Sequence, residues 1–213
     1  MAEREWNEKI LPSLKLYRQI HHHCIVERPF KVPRESPWPE EAWGIRLGMI
    51  VNSIRMGKNY VQFAARDEDT LREIGFAWDR DASTWDERII PALQTYVAEF
   101  NSCRVPQKFV VPACKPWPKA AWNLGLGGQL CKMKYRGDYF RCFGRDVDRL
   151  KELGFSFELG RQAWEKLVEP LLDIYEPCFG DTDVPHDFVI PSEAPWPERM
   201  WGVHLGVVVA RNT

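Results

Sequence analysis

The chain repeats itself every 79 residues, and no other feature constrains its fold as tightly. Trp6, Trp85 and Trp164 share this spacing, as do Pro12, Pro91 and Pro170, and Tyr17, Tyr96 and Tyr175. The register holds through Phe30, Phe109 and Phe188, through Pro33, Pro112 and Pro191, and through Trp38, Trp117 and Trp196, each followed by proline. It continues at Trp43, Trp122 and Trp201 and at the Leu-Gly pairs that begin at Leu47, Leu126 and Leu205. Four later features recur in two copies: Tyr60 with Tyr139, Arg66 with Arg145, Leu71 with Leu150, and Gly75-Phe76 with Gly154-Phe155. The third copy stops inside the segment equivalent to residues 45–55. The repeat predicts units at 1–80 and 81–159 and a truncated unit at 160–213 that lacks its last helix. An incomplete unit strands an apolar face, which predicts a fragment of a longer array.

Within a unit the periodicity is helical. In the second copy Ser83 and Asp86 resemble a capping box, and Trp85, Ile89, Leu93, Tyr96 and Phe100 then fall on one helical face. Pro91, about two turns in, removes a backbone donor and predicts a kink or a restart. The segment VPQKFVVPACKPWP is too rich in proline and β-branched residues for a helix and predicts an extended connection pinned by its aromatics. A second helix is predicted to begin near Pro118, to carry Trp122, Leu126, Leu130 and Met133 inward, and to end at Gly137. A third runs from about Asp146 to Leu153 and stops at Gly154, with Phe155 and Phe157 folding back on the core. The predicted fold is mainly α: tandem three-helix-bundle repeats of 79 residues joined by extended Pro/aromatic-rich segments.

Composition narrows the function classes. A chain of 213 residues with 45% hydrophobic content can bury substantial cores without covalent staples. Its six cysteines include no C-x-x-C pair and read as reduced thiols. The opening MAEREWNEKI has no apolar signal region, and no apolar run approaches the roughly 20 residues that span a bilayer. These features predict an intracellular protein and leave its compartment open. A formal net charge of -1 argues against a uniformly basic nucleic-acid binder or a polybasic membrane binder, although an average can hide local segregation.

Several of the repeated residues also form a known pattern. The opening tryptophan, the L-x-x-Y of helix one, the Leu-Gly start of the central helix with a basic residue eight positions on (Arg55, Lys134), and the closing Ile74-Gly75-Phe76-Ala77-Trp78 and Leu153-Gly154-Phe155-Ser156-Phe157 resemble the helicase-associated domain. The resemblance covers essentially the whole chain. It implies short three-helix units in tandem that bind nucleic acid. The long insert containing V-P-x-x-F-x-V-P and P-W-P departs from the compact pattern of that family, and no G-x-x-x-x-G-K-[ST] loop is present, so no motor activity carries over.

Independent support for nucleic acid comes from charge. Residues 104–151 hold eleven Lys/Arg against three acids, with Tyr135, Tyr139 and Phe140 interleaved; cations can track phosphates while aromatics stack bases. The candidate contacts are Lys132, Lys134, Arg136, Tyr139, Arg141 and Arg145, with Arg55 and Arg66 in the first copy. The competing reading makes these solvated helix faces, with Arg66 and Arg145 tying a loop to a helix start. Residues 164–213 reverse the balance, with nine acids and three basic residues, so a uniform nucleic-acid rail is not expected. Trp38 and Trp43, bracketed by prolines, read as a hydrophobic clasp or, alternatively, as an exposed stacking platform.

Two chemistries are not expected. Adjacent His21, His22 and His23 point about 100° apart on a helix and cannot converge on one ion, and the other copies lack them, so no metal or cofactor is expected. The repeat duplicates aromatics rather than a nucleophile with its base, so no catalytic residue is assigned. The expected function is a non-catalytic tandem-repeat module that binds DNA or RNA through the second copy, with no membrane or small-molecule partner. The alternative is a protein-interaction scaffold without nucleic-acid contact.

Overall fold

The computed structural model describes residues 2–155 and 158–212, and the chain is mainly helical, with no strand among these residues. Among these residues an isolated parallel bridge pairs Cys24 with Phe76. No helix among the described residues is long and apolar enough to cross a membrane.

The chain divides into two compact units, Met1–Glu87 and Arg88–Thr213. The Arg18 guanidinium reaches Glu87 at 3.5 Å within the first unit, whereas Arg88 Nε donates to Ala120 O at 2.9 Å within the second. The second unit takes in both the later part of copy two and the whole of copy three. His204 N–H donates to Gly144 O (2.8 Å), Leu159 N–H to Asn212 Oδ1 (2.8 Å) and Gly160 N–H to Lys134 O (2.8 Å).

In the first unit the opening helix runs through Ala2–Glu5, a π turn Trp6–Ile10 and Leu11–His21. The same sequence of forms follows in Arg80–Thr84, Trp85–Ile89 and Ile90–Phe100. The widened turn lies just before Pro12 and Pro91. Proline has no N–H for the carbonyl four residues back, and its ring needs the room that the wider turn supplies. The prolines predict a kink or a restart; the backbone instead stays helical through a π turn. The predicted capping box is not used: Asp79 caps instead, its Oδ1 accepting from Asp81 N and Ala82 N at 3.1 Å, so the helix starts at Arg80 and Ser83 lies inside it. Trp85, Ile89, Leu93 and Tyr96 are buried as expected, but Phe100 is 53% exposed. It closes the helix before left-handed Asn101, with its ring against Tyr96 and Phe109.

The central helix starts later than Pro118. Pro118 precedes a single 3-10 turn, Lys119–Ala121, and the α-helix spans Leu126–Arg136, ending at left-handed Gly137. Leu126 and Met133 are buried, Leu130 and Trp122 only partly. The tryptophan pair works as a clasp with two different members. Trp38 is buried, while Trp43 is partly exposed and donates from Nε1 to Trp38 O at 3.0 Å; Trp122 with Trp117 and Trp201 with Trp196 repeat this bond at 3.1 and 3.0 Å. The last predicted helix is found at Val147–Glu152 and stops at Gly154. A short helix, Phe140–Phe143, precedes it, as Val61–Arg66 precedes Glu68–Glu73 in the first unit. Phe155 is buried as expected; Phe157 lies outside the described residues.

Trp6 anchors the first core. It is fully buried, stacks on Tyr60 and Phe63, and donates from Nε1 to Asp67 Oδ2 at 2.7 Å. Hydrogen bonds from Arg66, then from Trp6, hold the Asp67 carboxyl below the usual carboxylate range. A depressed folded pKa stabilises the fold fully above the unfolded value of about 3.9 and loses that contribution as pH falls through the folded value. Urea midpoints of the wild type are therefore expected to fall on acidification below about pH 4. Asp67→Asn should show a lower midpoint at neutral pH and a smaller acid-induced fall; an unchanged acid response would show that other carboxylates carry it.

Candidate nucleic-acid interface

The predicted contact residues separate into those the fold consumes and those it leaves on the surface. Arg55 is consumed. Its Nε donates to Ala77 O at 2.6 Å, its Nη1 reaches Val26 O at 3.5 Å, and its guanidinium carbon lies 5.8 Å from the Phe76 ring centroid. Burial, then the neighbouring Arg80 charge, pushes its pKa down from the usual value. Arg66 pairs with Glu3 at 2.7 Å and Asp67 at 3.0 Å and donates to Asn7 Oδ1 at 3.0 Å, tying the first helix to the start of Glu68–Glu73. Arg145 donates from Nε to Trp201 O (2.7 Å) and from Nη2 to Arg199 O (2.9 Å), fastening the loop before Val147–Glu152 to the segment after Trp196. These two arginines make the loop-tying contacts of the structural alternative, though to different partners.

The retained tyrosines are also placed by the backbone. Tyr60 and Tyr139 both sit in the left-handed region, at φ 61° and 62°, directly before a short helix. That region is costly for a bulky side chain and is held by its surroundings. Tyr60 donates to Glu5 at 2.7 Å, and burial followed by this bond pushes its hydroxyl up to about 12. Tyr139 and Arg141 are half-buried.

Lys132, Lys134 and Arg136 remain exposed on helix Leu126–Arg136, Arg136 lying 3.5 Å from Asp138. They do not share one face. Two residues of helix place Lys132 roughly 160° from Lys134, whereas Lys132 and Arg136 are neighbours one turn apart. Between the two directions projects Tyr135, 59% exposed, with Lys134 Nζ at 5.9 Å from its ring centroid. Leu130, Cys131 and Lys134 line a cleft of about 400 Å³ together with Arg104, Tyr135 and one acid, Glu158. Arg104 is held there because Tyr96 donates its hydroxyl to Arg104 O at 2.9 Å and Ser102 Oγ accepts the Arg104 N–H at 3.1 Å.

Compared with protein-family models, curated proteins and solved structures, the chain matches none. Its chemistry is therefore read from the cleft itself.

The cleft exists at the position where the two copies differ most in consequence. The first copy places Arg55 there, and its guanidinium spans to two carbonyls; the second places Lys134, whose ammonium stays at the surface. The pair occupies equivalent basic positions in the sequence, and only the fold brings Arg104 to the same cleft as Lys134. The remaining cations disperse: Lys119 lies 5.9 Å from the Trp122 ring and Arg149 lies 4.0 Å from Asp146. His21 and His23 both pack against Tyr17, with ring centroids 4.2 and 5.8 Å from it and 6.1 Å from each other, and His23 Nδ1 accepts the Ile25 N–H at 3.1 Å. Among the described residues no group of three or more His, Cys, Asp or Glu is arranged to hold a metal.

Proposed function

We propose that the chain is a non-catalytic, intracellular binding module built of tandem three-helix units of 79 residues joined by extended Pro/aromatic-rich segments, resembling helicase-associated domains and binding nucleic acid through the second copy. The observation that carries this reading is the meeting of Arg104, Lys134 and Tyr135 at one cleft, with exposed Lys132 and Arg136 on the far side of Tyr135. A strand crossing the helix can stack a base on Tyr135 while its phosphates meet cations on both sides.

The test is fluorescence anisotropy of the whole chain with labelled single-stranded and duplex DNA and RNA across a salt series. Neutralising three or four phosphates gives a log-log salt slope of about -2 to -3 for a single strand. Lys132→Glu, Lys134→Glu and Arg136→Glu together should abolish binding without moving the urea midpoint, because all three side chains are exposed. Arg145→Gln should do the reverse, lowering the midpoint while leaving affinity unchanged. An absence of binding at low salt would sink the nucleic-acid reading. It would favour a protein-interaction scaffold, to which the nine acids against three basic residues of 164–213 already point.

A further inference from the structure

A second cationic cleft lies in the first unit, lined by cations that the other copies lack at the equivalent positions. Arg28, Lys31 and Arg46 surround a space of about 360 Å³ whose remaining lining is Pro29 and Met49. The backbone brings these residues together. The turn at 27–30 closes with Phe30 N–H donating to Glu27 O at 3.0 Å, and Gly48 N–H then donates to Phe30 O at 3.0 Å. Val32 N–H donates to Ile45 O and Gly44 N–H to Val32 O, at 3.0 and 2.9 Å. Arg28 and Lys31 are thereby held opposite Arg46 and Met49, at the start of helix Leu47–Arg55. All three cationic side chains are exposed, and none makes an ion pair or side-chain hydrogen bond among the described residues. Met49 is 43% exposed.

These cations are not needed for folding. The second copy keeps the same backbone bonds, with Phe109 N–H to Pro106 O at 2.9 Å, Gly127 N–H to Phe109 O at 3.2 Å and Val111 N–H to Leu124 O at 2.9 Å. It does so with Gln107, Val110 and Gly125 in place of Arg28, Lys31 and Arg46. The third copy keeps them with His186, Val189 and His204. Three unpaired cations crowded around one concavity repel one another and gain most from a multiply charged anion. Two guanidinium forks match phosphoryl oxygens in geometry, and an ammonium adds a point charge. The exposed Met49 thioether and the Pro29 ring add apolar surface to this open cleft.

We infer that this cleft binds a nucleoside di- or triphosphate group, its phosphates on Arg28, Lys31 and Arg46 and its base across Met49 and Pro29. The group can belong to a free nucleotide or to the 5′ end of a strand. The site is separate from the Lys134 cleft, so it stands or falls independently of the proposed function.

The experiment is calorimetric titration of the whole chain with ADP and with pyrophosphate, beside Arg28→Gln/Lys31→Val/Arg46→Gly, which installs the residues the chain itself uses in the second copy. ADP should bind the wild type and lose at least about tenfold in affinity in the triple variant. Met49→Ala should weaken ADP and leave pyrophosphate unaffected. The Lys132→Glu/Lys134→Glu/Arg136→Glu variant should bind ADP as the wild type does, which separates this site from the proposed interface. A 5′-triphosphorylated oligonucleotide that outcompetes its 5′-hydroxyl twin and ADP assigns the site to strand ends; ADP binding without that preference assigns it to free nucleotide. No ADP binding at millimolar concentration, or equal binding by the triple variant, overturns the inference.

Discussion

Gly127→Ala should destabilise the second unit by about 3 kcal/mol or more, as overpacking does when the obstructing atoms cannot retreat. An added Cβ would stand 1.9 Å from Pro106 O and 2.6 Å from Gln107 O. Both are backbone atoms, and the turn that carries them is tied down by the Phe109–Pro106 and Gly127–Phe109 hydrogen bonds. Alanine elsewhere in a helix stabilises by roughly 0.5–1 kcal/mol relative to glycine. Gly128, the next residue in the same helix, has nothing within 4 Å of its added Cβ, so Gly128→Ala should raise the urea midpoint. Opposite signs at adjacent positions, read from chemical denaturation followed by circular dichroism, are the expected result; equal effects would refute the close approach. The same approach occurs at Gly48, against Glu27 O at 2.0 Å, and at Gly206, against Pro185 O at 1.9 Å. It explains physically why Leu-Gly recurs in all three copies.

Trp6→Ala should cost the first unit about 3–5 kcal/mol, the range for truncating a large buried aromatic, and is expected to unfold Met1–Glu87 at moderate temperature. The indole is fully buried against Tyr60 and Phe63, so its removal leaves a cavity between helix one and the Val61–Arg66 helix. It also deprives Asp67 of a donor. Trp6→Phe retains most of the packing and loses the N–H, so it should cost distinctly less. Urea unfolding of both variants separates the two contributions: a Phe variant as unstable as the Ala variant would mean that the hydrogen bond, and not the packing, carries the anchor.

Much of the local structure was legible in the residues. Gly137 and Gly154 mark helix ends because left-handed backbone there costs glycine little, and both do end helices at φ 71° and 78°. Pro12 and Pro91 mark an interruption because proline cannot donate, and a π turn lies before each. The helix starts were less legible. Asp79 outcompeted Ser83 as a cap because it lies one turn earlier with two backbone donors in reach, and Pro118 opened only a 3-10 turn before the chain extended again to Leu126.

The candidate interface was legible as a charge excess but not as a surface. An excess of cations in 104–151 records how many are present, whereas their directions depend on helix phase and on which carbonyls and carboxylates the fold presents to them. Arg55 and Arg145 found backbone carbonyls, Arg66 found carboxylates, and Lys134 stayed beside Tyr135 and Arg104.

The sequence by itself determined the 79-residue recurrence, the helical periodicity within it and the aromatic, proline and glycine positions, because these are fixed by spacing and by the local conformational limits of each residue type. Only the tertiary structure decided that Leu-Gly is a backbone contact, that half-buried Arg55 bonds backbone carbonyls while Lys134 stays exposed, and that Arg28, Lys31 and Arg46 line one cleft. Each of those outcomes depends on atoms distant in sequence meeting within a few ångströms, which local spacing does not encode.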